Sequence, residues 1–416
     1  MVPNGWEKQP VNYFGEVNAG RQRSPKFVNG TIRPYLRVAN VFDAHIRVND
    51  VLEMYFTDKE YDKYQLIEGD ILLNEGQSIE LVGRPAMYVG EPRECCFQNT
   101  LVRFRANDKV DRDFALQRFR LCLYDGTFQS IAKKTTSIAH LGVSRFAEME
   151  LLWPPLPEQR KIAKILSTWD KAITTTEKLI ETSKQQKKAL MQQLLTGKKR
   201  LVNPDTGRAF EGEWEEVNIG DICSVKGGKR LPKGESLQVS SNNHPYIRVA
   251  DMFMGGVDCS NILYVPEHVA TSISKYTIST EDLFITVAGT LGLVGKIPPE
   301  LDGANLTENA DKLTDIVCNQ TFLMYVLMSP VVQKSIDAES TQNAQPKLAL
   351  SRIRGFKFLL PDNSEQQKIA SVLTAADKEI EIFEAKLVHF KQEKKALMQQ
   401  LLTGKRRVKV EDAEIV

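Results

Sequence analysis

Cysteine and histidine are both scarce in this chain, and what is missing removes most catalytic readings. The 416 residues hold six cysteines (Cys95, Cys96, Cys122, Cys223, Cys259 and Cys318) with no C-x-x-C pair, so neither a zinc site nor a disulfide framework is indicated. The five histidines (His45, His140, His244, His268 and His389) stand apart from one another, which leaves no metal cluster or histidine-based pair. No apolar run reaches the roughly 18 residues of a membrane helix. Met1 to Gly5 is polar and contains a proline, unlike a secretory signal, and a cytoplasmic location is expected.

Enzyme signatures are missing as well. The Pro-Pro pairs 154–155 and 298–299 follow Trp153 and Ile297, where a base methyltransferase needs Asn or Asp. Gly295-Lys296 is followed by Ile297 and has Thr290 where a phosphate-cradling loop needs glycine. A nuclease set can be assembled only from Pro361, Asp362, Glu384 and Lys386, and its last two members fall within a long helical stretch instead of a cleft.

Glycine and proline are absent from two long stretches, Glu158 to Thr196 and Glu365 to Thr403, each preceded by proline and followed by Gly197 or Gly404. These stretches are copies of one device. Residues 187–198, KKALMQQLLTGK, recur letter for letter at 394–405, and the same offset of 207 carries Glu158-Gln159 onto Glu365-Gln366 and Asp170-Lys171 onto Asp377-Lys378. Each predicts a helix of 39 residues, about 58 Å long. An alternating four-and-three seam runs along the first through Ile162, Leu166, Trp169, Ile173, Thr176, Ile180, Ser183, Lys187, Leu190 and Leu194. Along the second it runs through Ile369, Leu373, Ala376, Ile380, Phe383, Leu387, Phe390, Lys394, Leu397 and Leu401. So narrow a seam wants one partner helix, and antiparallel pairing of the two rods as a coiled coil is expected.

The globular parts repeat more loosely. Pro34 to Ala39 is echoed by Pro245 to Ala250, Val82-Gly83-Arg84 by Val294-Gly295-Lys296, and Leu141 to Arg145 by Leu348 to Arg352, while Asn74 to Ser78 and Val287 to Thr290 diverge. The expected order is a mixed α/β domain over 1–157, a helix over 158–200, a turn-rich connector and second domain over 201–364, a helix over 365–407 and a tail over 408–416. Strands are predicted at Tyr35 to Ala39, Asp70 to Leu73 and Leu101 to Arg105, and a helix at Asp113 to Leu123. Ala310 to Asp315 finds no match in the first domain.

Net charge is only +2, yet the two rods carry 11 basic against 4 acidic and 9 against 6 residues. A nucleic-acid partner fits that surplus without being proved by it. Phosphate contacts are expected from Arg21, Arg23 and Lys26, from Lys226, Lys229, Arg230 and Lys233, and from Lys133, Lys134 and Lys347, with Lys296 a further DNA-binding candidate. Base-edge readers are expected among Asn74, Gln77, Arg84, Asn305, Asn309, Gln342, Asn343 and Gln345. Arg37 and Arg248 recur in the shared frame and suit a structural role equally well. Two similar, non-identical domains on a pseudo-twofold body suit two different half-sites along a duplex. The competing class is a non-enzymatic coiled-coil scaffold whose domains bind proteins or glycans.

Pro155 to Gln159 leading into a helix that ends at residues 194–198, LLTGK, occurs as a device twice. With Pro245 to Ala250, Leu283 to Gly289 and Asn343 to Lys347 it gives a sequence that resembles the specificity (S) subunit of type I restriction–modification enzymes along essentially its whole length. The resemblance implies two target-recognition domains separated by conserved helices, a bipartite DNA target with an unspecified gap, and no catalysis in this chain. It implies assembly with two modification (M) subunits, which would hold S-adenosylmethionine, and with restriction (R) subunits, which would use ATP and Mg. The rods then become docking surfaces, with the basic ends at Lys198 to Arg200 and Lys405 to Arg407 available for it. A four-residue insertion in the first rod is expected to alter the gap and leave both half-sites intact.

Overall fold

The computed structural model describes residues 2–24, 26, 28–135, 137–340 and 347–410. It divides into two compact units, Met1–Glu177 with Ala385–Val416, and Lys178–Glu384. Each unit therefore contains one globular domain, half of one long helix and half of the other.

In the first unit the alternation at residues 101–105 builds a four-stranded antiparallel sheet ordered Gly15–Ala19, Leu101–Ala106, Ile71–Asn74, Pro85–Met87. Val102 and Phe104 face a core shared with Ile71, Leu73 and the helix Arg112–Tyr124, which contributes Phe114 and Phe119. Arg103 and Arg105 take the other face, where Arg105 pairs with the buried Asp70 at 2.7 Å and Arg103 donates to the Gln65 carbonyl. A mixed sheet of Cys96–Phe97, Thr31–Leu36 and Leu52–Phe56 completes the domain.

The second unit repeats this plan with Ser224–Gly227, Ala310–Thr314, Leu283–Thr286 and Val294–Lys296. Its mixed sheet is Leu263–Tyr264, Pro245–Ile247, Ala304–Leu306 and Thr277–Ile278. The helix Gln320–Met328 packs where Arg112–Tyr124 does in the first unit, with Phe322 in the core. The segment that resisted matching, Ala310 to Asp315, is the counterpart of Leu101–Ala106, because it pairs with the equivalent two strands in the same order. Its side chains differ (Asp311 stands where Val102 stands), so the match exists in hydrogen-bond topology and not in residue type.

The repeated Pro-Tyr motif corrects the strand expected over Tyr35 to Ala39. The strand ends at Leu36 and a 3-10 turn follows at Val38–Asn40, as it does at Val249–Asp251. The Arg37 and Arg248 backbone amides donate to the Asn40 and Asp251 side chains, and the two guanidinium groups pair with Asp50 and Asp251. Both arginines are structural in this fold.

The long helices are Leu156–Leu194 and Asn363–Leu401, 39 residues each, starting and ending two residues before the stretches expected, since the first turn of a helix tolerates Pro157. Every seam position named above is buried or half-buried. Within the first unit, Glu158, Trp169, Asp170 and Glu177 contact Arg407, Phe390, Lys394 and Lys391, in broadly descending order. The two helix segments there consequently run in opposite directions. Within the second unit, Lys184, Lys187 and Arg200 meet Glu384, Asp377 and Glu365, again in descending order. Lys187 and Lys394, the polar breaks shared by both seams, are neutralised by Asp377 and by Asp170 at 2.6 Å.

The repeated Glu-Gln pair anchors each helix start. Glu158 is buried and accepts from Trp6 Nε1 at 3.1 Å and from Arg407 Nε and Nη2 at 2.7 Å. Glu365 accepts from Trp214 Nε1 at 3.0 Å and from Arg200 Nε and Nη2 at 2.7 Å. Gln159 takes the Asp111 amide and donates to the Pro154 carbonyl, and Gln366 does the same with Asn319 and Pro361. Asp111 and Asn319 also cap the helices Arg112–Tyr124 and Gln320–Met328. Of the basic ends expected to dock partners, Arg200 and Arg407 are thus used internally, while Lys198, Lys199, Lys405 and Arg406 are exposed.

Candidate nucleic-acid interface

In the first unit three candidate residues converge on a small sheet formed by Lys133–Lys134, Ala139–His140 and Gly76–Gln77. Its register sets Lys134 opposite Ala139 and Ala139 opposite Gln77, so the exposed lysines border the divergent loop that begins at Asn74. His140 Nδ1 lies 2.9 Å from Glu75 Oε2 beside them. Arg23 and Lys26 are exposed, and Gln77 is half-buried.

Arg21 is placed differently. It is 5% exposed, donates through Nε to Glu60 at 2.9 Å, and lies over the Phe56 ring. Arg84 donates to the Val41 carbonyl and stacks on Phe42, and burial pulls its pKa down. Asn74 is fully buried, and neither side-chain polar atom has a hydrogen-bond partner.

In the second unit Lys347 bridges Ala288, the counterpart of His140 against Gly76. Val287 and Ala288 both donate to the Asn309 carbonyl, which brings that divergent loop, half-buried Asn309 and exposed Lys347 together. Lys226, Lys229, Arg230 and Lys233 are exposed, with Lys226 facing Asp315 at 3.2 Å and Arg230 facing Glu308 at 2.5 Å. Gly228 makes a close approach to its own chain, since a Cβ there would lie 2.0 Å from the Thr307 carbonyl oxygen. Gly20 does likewise against Gln98, so these two glycines are used inside the fold.

Asn305 is buried and donates to the Ile273 carbonyl. Lys296 is half-buried and donates to Thr321 Oγ1 at 2.6 Å, and burial lowers its pKa. Gln342, Asn343 and Gln345 lie outside the described residues.

One residue of this region had no role in the sequence reading. Asp311 is 5% exposed, and its Oδ2 is, among the described residues, the one buried carboxylate oxygen without a partner. Burial pushes its carboxyl up to about 6, against the opposing pull of Lys347 and Arg354. Because the native carboxyl holds its proton more tightly than the unfolded one, ionising it costs the fold nothing at pH 4 and the full amount above about pH 6. Asp311→Asn is therefore expected to stabilise the protein by up to about 3 kcal/mol at pH 7.5, with the gain fading towards pH 4. Urea midpoints of the two proteins at both pH values check this.

Comparison with known proteins places the whole arrangement. The family model for the type I restriction modification DNA specificity domain matches twice, over residues 3–184 and 211–389. The chain belongs to that family. Among relatives of this specificity subunit, the putative type I restriction enzyme MjaX specificity subunit of Methanocaldococcus jannaschii is 28% identical, covering 98% of this chain and 95% of the relative. The fold is shared with the S subunit from M. genitalium (TM-score 0.58, 18% identity, 97% of this chain and 99% of that one). It is shared too with a chain from a type I restriction–modification system structure (TM-score 0.61, 16% identity, 98% and 100%).

As a specificity subunit the chain is non-catalytic, and its family membership carries that statement. Among the described residues no group of His, Cys, Asp or Glu could hold a metal ion, and no helix is long and apolar enough to cross a membrane. The roles of Glu158, Gln159, Asp170 and their counterparts were signalled in the sequence by recurrence at the fixed offset. Asp311 carried no such signal, since its strand does not resemble its partner.

Proposed function

We propose that this specificity subunit reads a bipartite, asymmetric DNA target. Residues 1–157 take one half-site and residues 201–364 the other, and the two long helices, paired as an antiparallel coiled coil, set the gap. The observation that carries the reading is a shared frame with divergent rims. Both domains present a loop from the matched strand beside a basic segment (Gln77 with Lys133 and Lys134, Ala288 with Lys347), yet the loops differ in sequence. Identical rims would suit one ligand bound twice; different rims on one frame suit two different base sequences. The descending contacts within each unit and the buried seam support the helix pairing. Assembly with two modification subunits and with restriction subunits, in the cytoplasm, completes the proposal.

Arg23, Lys26, Lys133, Lys134, Lys226, Lys229, Arg230, Lys233 and Lys347 are the exposed cations assigned to phosphates. Gln77 and Asn309 are the half-buried candidates for bases. Arg21 and Asn305 are better assigned to holding the domains. A protein- or glycan-binding scaffold is disfavoured by the family.

Binding of duplex DNA by the assembled complex is expected to weaken steeply with salt, because each neutralised phosphate releases counterions. Lys133→Ala with Lys134→Ala is expected to lower the slope of log K against log salt by about 2, equally for all sequences. A slope unchanged by this double substitution would remove those lysines from the interface.

A further inference from the structure

We propose that Phe253, on a hairpin of the second domain, is a docking point for a protein partner, its ring and the acids beside it receiving an arginine of the modification subunit. This rests on the assembly reading above and adds to it a surface and the side chain that fits it.

The hairpin occurs once in each domain. Val41–Phe42 pairs with His45–Ile46 in the first, and Met252–Phe253 with Gly256–Val257 in the second. Two backbone bonds fix the correspondence. The Arg47 amide donates to the Asn40 carbonyl as Asp258 does to Asp251, and Ala44 donates to Pro85 as Gly255 does to Val294. Phe42 therefore matches Phe253, while His45, Arg47 and Arg84 match Gly256, Asp258 and Leu293.

Those matches decide what each ring meets. Phe42 is half-buried and stacks on His45 with 5.2 Å between ring centres, and the Arg47 and Arg84 guanidinium carbons lie 4.2 and 4.9 Å from its centre. Phe253 has lost all of these covering groups. Its ring passes Gly256, where a Cβ would lie 3.2 Å from Phe253 Cζ, and it is 53% exposed with Met254 exposed beside it. Among the described residues no ring or cation lies over it.

The local charge is reversed as well. Asp258 is exposed at the ladder position from which Arg47 covers Phe42. Exposed Glu300 is close by, since burial raises the Cys259 thiol and the carboxylates of Glu300 and Asp258 raise it further. An aromatic face flanked by carboxylates attracts a guanidinium and repels a phosphate backbone. The first domain supplies its own guanidinium groups, and the second leaves the place to a partner. Two copies of one modification subunit thus meet unlike hairpins, and the copy on the second domain gains this contact.

The test titrates the full-length chain with the purified modification subunit and follows the two binding steps by calorimetry, for the parent, Phe253→Leu, Phe253→Trp and Asp258→Arg. Leucine keeps an apolar side chain without a π face, and tryptophan keeps the face. Phe253→Leu is expected to weaken one of the two steps on the order of ten-fold and, at an exposed site, to keep the parental urea midpoint. Phe253→Trp is expected to bind as the parent does. Asp258→Arg, which recreates the first domain's cover, is expected to lose as much as Phe253→Leu. Equal losses in the leucine and tryptophan variants, or none in either, would overturn the arginine assignment. So would unchanged subunit binding joined to a relaxed base in the methylated half-site, which would give the ring to DNA. A parental chain that takes up no modification subunit would overturn the assembly reading along with it.

Discussion

Glu365→Ala is expected to cost the second unit about 3 kcal/mol, read as a lowered denaturant midpoint followed by tryptophan fluorescence. Two losses combine. The Trp214 indole N–H loses its acceptor, and the Arg200 guanidinium loses a two-pronged partner at 2.7 Å. Removing one member of a buried pair generally costs about 3–5 kcal/mol because the other charge stays buried. Here the Arg200 side chain is 24% exposed and can turn to water, which sets the lower end of that range.

The matched substitution in the first unit, Glu158→Ala, should cost less, since the Arg407 side chain is 42% exposed and already partly hydrated. Glu365→Gln should fall between parent and alanine, retaining an acceptor for Trp214 but not the charge. An alanine variant as stable as the parent at either site would mean that these anchors do not hold the helices to their domains.

Lengthening both helices is expected to change the spacing of the target and nothing else in it. Seven residues inserted after Glu177 and seven after Glu384, positions related by the same offset of 207, add one repeat of the four-and-three seam to each helix. The Asp170–Lys394 and Asp377–Lys187 pairs lie on either side of these points, each within one unit, so their registers survive. At about 1.5 Å per residue the extension is roughly 10.5 Å, or about three base pairs at 3.4 Å each.

Methylated-site sequencing should return both parental half-sites with a gap about three base pairs longer. The four-residue insertion confined to the first helix is a harsher change, because it shifts the seam out of phase and leaves the other helix short. Altered bases within a half-site after the paired seven-residue insertion would count against the helices as the ruler.

How much of this was legible in advance depends on whether a residue acts along the chain or across it. Breaker-free stretches with a four-and-three seam specified two helices of 39 residues, because helical order needs only local backbone geometry and one apolar face. The clean alternation at residues 101–105 specified a strand and its two faces for the same reason. Recurrence at offset 207 picked out Glu158, Gln159 and Asp170 without saying what they touch. Their partners, Trp6, Arg407, Asp111 and Lys394, come from distant parts of the chain, and no periodicity reports such pairings.

The surface was harder still. Arg21 and Arg23 are two residues apart and equally basic on paper, yet one is sequestered by Glu60 and Phe56 and the other faces water. Composition cannot separate them, because burial is set by which strand lands beside which.

The sequence alone determined that this protein is a duplicated body of two mixed α/β domains and two long helices, since repeats, breakers and apolar spacing act through local geometry. The tertiary structure alone decided which charges are free, that Ala310–Thr314 is a core strand despite its unlike side chains, and that Asp311 is buried between Gly227 and Ile285 with one oxygen unanswered. Hydrogen-bond topology and burial depend on what folds against what, and those neighbours lie tens to hundreds of residues away in the chain.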